Sequence, residues 1–270
     1  MFRRTFLFAP VALAAPQRRP NLLVLWAQQA NLLPDSLAEQ SLVFPRAFSA
    51  CPNPELARRV FETGKFAHAI RAGDPALSTL LQDDFRQVNV RNTREVAANL
   101  SAAGPEALVV LTAEASDRTE SARALHVPLA LRFPGVLAPR TAPEILISHV
   151  DVMPTLLSLL RIEPPQGVQG RDLSALLLNR TADLPDSVYA QSRPGQRNGW
   201  RAVIRGYEKL VLDADGRPTG LYNLADDPGE TVNLVTDATA ALTRDAMLAL
   251  ARSWSRRTGD GVDPSGLKRR

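Results

Sequence analysis

Asn21-Leu22-Leu23-Val24-Leu25-Trp26 (N-L-L-V-L-W) is the stretch from which the fold is read. Five apolar residues follow Asn21 without a polar break, directly after Pro20. A strand with one wet face would alternate. An unbroken run suits a strand covered on both faces, as in a parallel sheet flanked by helices. Ala27-Gln28-Gln29 then falls at the strand's C-terminal end, where open α/β sheets place their ligands. Leu108 to Leu111 is a second run of this kind, ending in Thr112-Ala113-Glu114-Ala115.

Other segments fill in the alternation. Leu42 to Phe48 is extended but interrupted by Pro45, and Val88 to Val90, Pro128 to Arg132 and Ile145 to Ser148 read as strands. Ala50 to Lys65 reads as a loop feeding a helix, with Asn53 as N-cap and Pro54 at the first helical position. Leu56, Val60 and Phe61 share one face, and Gly64 is a natural stop. Leu77, Leu80 and Leu81 give a short helical pattern. Asn92 with Glu95 resembles a capping box, and Val96 and Leu100 continue that helix. Asp151 is expected to cap a helix with the apolar row Val150, Met153, Leu156, Leu157 and Leu160, placing Pro154 in its first turn. This order predicts an α/β fold with a mostly parallel sheet flanked by helices.

After about Thr181 the pattern changes. Val188 to Gln191, Trp200 to Ile204, Lys209 to Leu212 and Gly220 to Leu224 are short strands joined by turns, a small C-terminal antiparallel sheet. A last helix, with Leu242, Ala246, Leu250 and Trp254 at i+4 spacing, is expected to cover one of its faces. The expected organisation is a signal segment over residues 1–15, an α/β domain over 19–180, an antiparallel subdomain over 181–257 and a loose polar tail over 258–270.

Composition narrows the function classes. The chain has 270 residues, 45% of them hydrophobic, enough for a sizeable core. A formal charge of +4, carried mostly by dispersed arginines, does not indicate nucleic acid. Cys51 is the single cysteine, which excludes an internal disulfide framework and a cysteine-clustered zinc site. Arg3 and Arg4 precede an apolar run from Thr5 to Ala15, far short of the roughly 20 residues of a membrane span. With Ala12-Leu13-Ala14 as a small-residue cleavage site, this predicts export to the periplasm or medium. Arg3-Arg4-Thr5-Phe6-Leu7 also resembles a twin-arginine signal.

Two stretches carry more specific wording. One is Ile147-Ser148-His149-Val150-Asp151-Val152-Met153-Pro154-Thr155-Leu156-Leu157, followed by Val168-Gln169-Gly170-Arg171-Asp172-Leu173. The other is Leu221-Tyr222-Asn223-Leu224, then Asp226-Asp227-Pro228-Gly229-Glu230, with Asn233-Leu234. Together they resemble the C-terminal half of a type I sulfatase, in the alkaline phosphatase superfamily. Val127-Pro128 and Phe133-Pro134-Gly135 resemble another segment of that family. The resemblance runs from about Arg19 to Trp254.

The resemblance implies a sulfuric ester hydrolase fold with a calcium-type divalent cation and a Cys or Ser nucleophile. Carried over position by position, it puts Gln28 and Gln29 where the family has two metal-binding aspartates. Glu114 and Ala115 fall at the second metal cluster, with Asp117 as an alternative register. Aligning on Arg58 and on Thr63-Gly64-Lys65 puts Pro54 at the nucleophile position, with Leu56 and Ala57 replacing motif residues. Cys51 stands three residues too early. The segment between Ile70 and Leu108 is shorter than in the family, and the sulfate-contacting lysine and histidine of that region have no counterpart.

These substitutions imply a sulfatase-like protein without the nucleophile and without most metal ligands. No cofactor is then expected, and the expected partner is a sulfated carbohydrate or another protein. Arg58, Lys65 and His68 remain as anion-contacting candidates, each equally readable as a surface or ion-paired group. Glu55, in the helix's first turn, places a carboxylate where an anion would sit. Two other readings stand beside this one. One is a divergent sulfatase or phosphoester hydrolase using residues such as Glu114 and His68, and the other is a shortened relative with no preserved role.

Overall fold

The computed structural model describes residues 20–29, 31–115, 121–180 and 182–261. Its first half runs β1 (Leu22–Ala27), α1 (Asp35–Ala38), β2 (Leu42–Val43), β3 (Ala47–Phe48), α2 (Pro54–Thr63), α3 (Leu77–Leu81), β4 (Phe85–Val90), α4 (Thr93–Ala103) and β5 (Leu108–Ala113). Then come α5 (Ala122–Leu125), β6 (Leu129–Arg132), β7 (Arg140–Thr141), β8 (Ile147–Ser148), α6 (His149–Leu159) and α7 (Ser174–Leu177). The C-terminal part holds β9 (Ser187–Ser192), β10 (Trp200–Arg205), β11 (Glu208–Leu212), β12 (Pro218–Asn223) and α8 (Ala241–Thr258).

The main sheet has the order β4-β1-β5-β6-β2-β7. β1 runs parallel to β4 and β5, and β2 parallel to β7, while β6 is antiparallel to both of its neighbours. The sheet is therefore mixed and mostly parallel. β1 and β5 are buried at every position because helices cover both faces. Leu22, Val24 and Trp26 point to the side where Phe61 of α2 and Val152, Met153 and Leu156 of α6 pack. Leu23, Leu25 and Ala27 point to the side of Leu37 and Val96. Each such buried Leu or Val side chain contributes on the order of 1.5–3 kcal/mol.

The second sheet is an antiparallel meander, β12-β11-β10-β9. Its Tyr189, Val203, Leu210 and Leu221 form one cluster with Met247, Ala251 and Trp254 of α8 and with Val60 and Phe66. Helix α2 thus joins both cores, Phe61 facing the large sheet and Val60 the small one. The buried face of α8 is Met247, Ala251, Trp254, Ser255 and Thr258. The expected row was rotated: Leu242 is 86% exposed and Ala246 is also exposed.

Three other local expectations are corrected. The cap of α6 is Ser148, and Asp151 is its third residue, accepting the Ser148 N–H at 3.0 Å. Asp151 also accepts from the Arg171 backbone and guanidinium, which explains why a carboxylate can lie 1% exposed. Pro154 then sits inside the helix, beyond the first turn. Having no N–H, it cannot bond the Val150 carbonyl, and Gly170 packs directly against that oxygen. A Cβ at Gly170 would lie 1.8 Å from Val150 O. At α4, Asn92 accepts from Glu95 N, but the Glu95 carboxylate accepts from Arg91 N and from the Asn92 side-chain amide rather than from the Asn92 backbone N–H. Finally, Asp260 is anchored rather than loose: it pairs with Arg201 at 2.8 Å and accepts the Tyr189 hydroxyl. The expected signal segment, residues 262–270 of the tail and Asp117 lie outside the described residues.

Candidate active-site cleft

The register of the parallel strands builds the cleft. Trp26 of β1 is level with Asn89 of β4 and Thr112 of β5, so the three C-terminal ends finish together. Gln28 leaves β1 there and Glu114 leaves β5. An open cleft of about 590 Å³ lies at these ends, lined by Gln28, Asn89, Glu114, Ala115, Trp26 and Arg58.

Arg58 comes from α2. Asn53 caps that helix by accepting Leu56 N at 3.0 Å, and Pro54 follows at the first position. Gly64 closes it at φ 61°, where an added Cβ would also meet Val168 at 2.9 Å. One turn into the helix, the Arg58 Nε donates to Glu114 Oε1 and its Nη2 to Asn89 Oδ1, each at 2.5 Å. The guanidinium lies over the Trp26 ring, 4.7 Å from its centre. Trp26 is held in turn by its N–H, which donates to Gln87 Oε1 at 3.1 Å, and Gln87 donates to Glu62. One cation and one carboxylate therefore cancel within the cleft.

The donor set does not fit a divalent ion. Gln28 and Gln29 are exposed neutral amides, Ala115 has no donor, and the Glu114 carboxylate bonds a guanidinium. A hard cation wants several oxygens with charge among them. Among the described residues no group of three or more His, Cys, Asp or Glu is placed to hold a metal.

The structure does not bring Arg58, Lys65 and His68 together. Lys65 pairs with Asp74 at 2.6 Å, and that hydrogen bond, with one from the Arg71 backbone, holds the Asp74 carboxyl below its usual range. The His68 ring spans Gln191 and the Thr258 carbonyl, at 3.0 and 2.9 Å, tying the front half to the end of α8. It is not among the residues that line the cleft, where Glu114 lies. Pro54 presents no reactive group at the start of α2. Cys51 is fully buried, and burial pushes its thiol up to about 11, which leaves it inert as a thiolate nucleophile.

Two residues of the cleft region escaped sequence reading. Asn89 is visible only through register, since nothing in Val88 to Val90 marks it. His149 lies beneath the cleft, its Nε2 at 2.9 Å from Thr112 Oγ1 and its ring edge-on to Trp26 and Phe61. Burial lowers its pKa to about 3, so it is neutral at ordinary pH. Its Nδ1 has no partner among the described residues.

Comparison with known proteins places this geometry. The family described as N-sulphoglucosamine sulphohydrolase, C-terminal, matches residues 117–252. Mouse arylsulfatase K is 30% identical over 123 residues, covering 42% of this chain and 22% of its own length. A sulfatase of Formosa agariphila is 24% identical over 148 residues, 48% of this chain and 27% of its own. The matched stretch thus spans about a quarter of these curated relatives. Among solved structures, a 2-O GAG sulfatase superposes with TM-score 0.73 at 14% identity, covering 92% of this chain and 96% of that one. The phosphonate monoester hydrolase of Agrobacterium radiobacter gives TM-score 0.73 at 13% identity, covering 90% and 96%. At these identities the structures speak to fold, and the fold serves more than one ester chemistry. The family match covers half of the 270 residues, and the chain belongs to the sulfatase family, within the alkaline phosphatase superfamily.

Proposed function

We propose that this chain is an exported, sulfatase-like protein whose cleft does not hydrolyse sulfate esters and instead serves in binding a sulfated carbohydrate or a partner protein. The observation that carries this reading is the Arg58–Glu114 pair. It commits the one carboxylate at the carried-over metal positions to a guanidinium. Gln28 and Gln29 add no charge, and Pro54 offers no nucleophile. Ester hydrolysis in this fold calls for a nucleophile and a cation to neutralise the developing charge, and this donor set supplies neither.

The carbohydrate part of the reading draws on relatives. One structural neighbour was solved in complex with D-glucosamine-2-N,6-O-disulfate; it shares 20% identity and TM-score 0.56, over 72% of this chain and 42% of that one. Export rests on the sequence of residues 1–15. Among the described residues no helix is long and apolar enough to cross a membrane.

The test uses the purified full chain. It is assayed on aryl sulfate, aryl phosphate and aryl phosphonate esters with Ca²⁺, Mg²⁺ or Mn²⁺ supplied. Turnover at the level of buffer is expected with all three. Turnover that Glu114→Ala abolishes would overturn the reading. Sulfated oligosaccharide at millimolar concentration is expected to raise the melting temperature, because a ligand of the native state must stabilise it. An unchanged melt would remove the carbohydrate and leave the protein partner.

A further inference from the structure

The cleft gathers side-chain oxygens around an arginine. Glu114 and Asn89 come from the ends of two strands that both flank β1, and their side-chain oxygens converge on one point. That point is the Arg58 guanidinium, which reaches Glu114 Oε1 and Asn89 Oδ1 with separate donors. A guanidinium is planar, stays charged and holds its donors in a fixed fork. The Trp26 face 4.7 Å below fixes its plane, and the Trp26–Gln87–Glu62 hydrogen bonds fix Trp26. Each part of the arrangement thus orients the next.

The geometry points to Arg58 as the cleft's built-in cation: a guanidinium tethered to α2 that holds the ends of β4 and β5 together in place of an exchangeable divalent ion. This rests on the reading of the cleft given above and goes beyond it, because it concerns what stabilises the cleft rather than what the cleft turns over. A chain can lack turnover and still depend on a bound cation, so the two can fail separately. The consequence for ligands is specific. With its one carboxylate neutralised, the cleft has no site for a free metal in the wild-type chain. With Arg58 removed, Glu114, Asn89 and Gln28 become a set of oxygens open to a hard cation.

Thermal unfolding of the full chain tests this with CaCl₂, MgCl₂ or EDTA as the only variable. The wild-type melting temperature is expected to be the same in all three. Arg58→Met is expected to melt about 2–4 °C lower, the shift that about 1 kcal/mol produces in a domain of this size. That variant should regain part of the loss in millimolar Ca²⁺, and Arg58→Met with Glu114→Gln should not respond. Wild-type protein stabilised by Ca²⁺, or purified with a divalent ion at one per chain, would overturn the proposal. So would an Arg58→Met variant as stable as wild type, or one indifferent to Ca²⁺. The wild-type measurement needs no variant, so stabilisation by Ca²⁺ would overturn the proposal even where Arg58→Met fails to fold.

Discussion

Lys209 and Glu230 meet at 2.6 Å with side chains 0% and 8% exposed, whereas Arg58 and Glu114 meet at 2.5 Å with theirs 30% and 31% exposed. The first pair locks the C-terminal meander to the Asp226–Glu230 turn, and Glu230 also accepts the Ala122 N–H at the start of α5. Arg201 and Asp260 do the same for the end of α8, at 3% and 0% exposure. Burial alone would raise the Asp260 carboxyl, but hydrogen bonds from Arg201 and Tyr189 outweigh it and hold it low. A buried charge must keep its partner, while a pair at the mouth of a cleft is screened by water. The C-terminal pairs are therefore structural necessities. The cleft pair contributes modestly to stability, and it cancels one cation against one carboxylate within the cleft.

The sharpest way to break this contrast is to remove one partner from each kind of pair. Arg201→Ala and Lys209→Met leave a buried carboxylate uncompensated and are each expected to cost about 3–5 kcal/mol in urea unfolding. Arg58→Met is expected to cost only about 1 kcal/mol, its packing on Trp26 included. Equal costs would erase the distinction.

Gly170→Ala probes the same structural side by sterics alone. Its Cβ would strike the Val150 carbonyl that Pro154 leaves without a helical donor, so a loss of about 1–3 kcal/mol is expected, with the cleft unaffected. A neutral result would mean that α6 and the loop at Gly170 can separate cheaply.

His149 sharpens the comparison from below the cleft. Its folded pKa is about 3, against 6.5 for the free side chain, so between these values the unfolded chain binds more protons. Stability therefore rises with pH across that window and falls as the medium is acidified below about 6.5, by up to ~1.4 kcal/mol per pH unit. Urea unfolding at stepped pH should show this slope, and His149→Gln should flatten it. A slope that survives the substitution would assign the effect to other groups.

Much of this molecule is legible in its sequence where burial is uniform or a cap is local. The unbroken runs of β1 and β5 announce a sheet covered on both sides, and Asn53, Pro54 and Gly64 bracket α2 correctly. The meander is readable because each strand ends in a turn. What sequence hides is set by tertiary register. Asn89 reaches the cleft only because β4 pairs with β1 at Trp26. Asp151 resembles a cap because a carboxylate at the third helical position also bonds the entering backbone. The face of α8 is misread because Leu242 is apolar yet exposed, whereas Ser255 and Thr258 are polar yet buried. Asp260 sits in a stretch that reads as a polar tail, and only its distant partners Arg201 and Tyr189 reveal its burial.

The proposal that the Arg58–Glu114 pair leaves the cleft without cation-assisted ester hydrolysis can be tested on the protein itself. Aryl sulfate turnover by the purified full chain, with Ca²⁺ present and Glu114→Ala as the control, tests it most directly. Both proteins are expected to release product at the rate of buffer alone. Turnover by the wild-type chain that disappears in Glu114→Ala would contradict it.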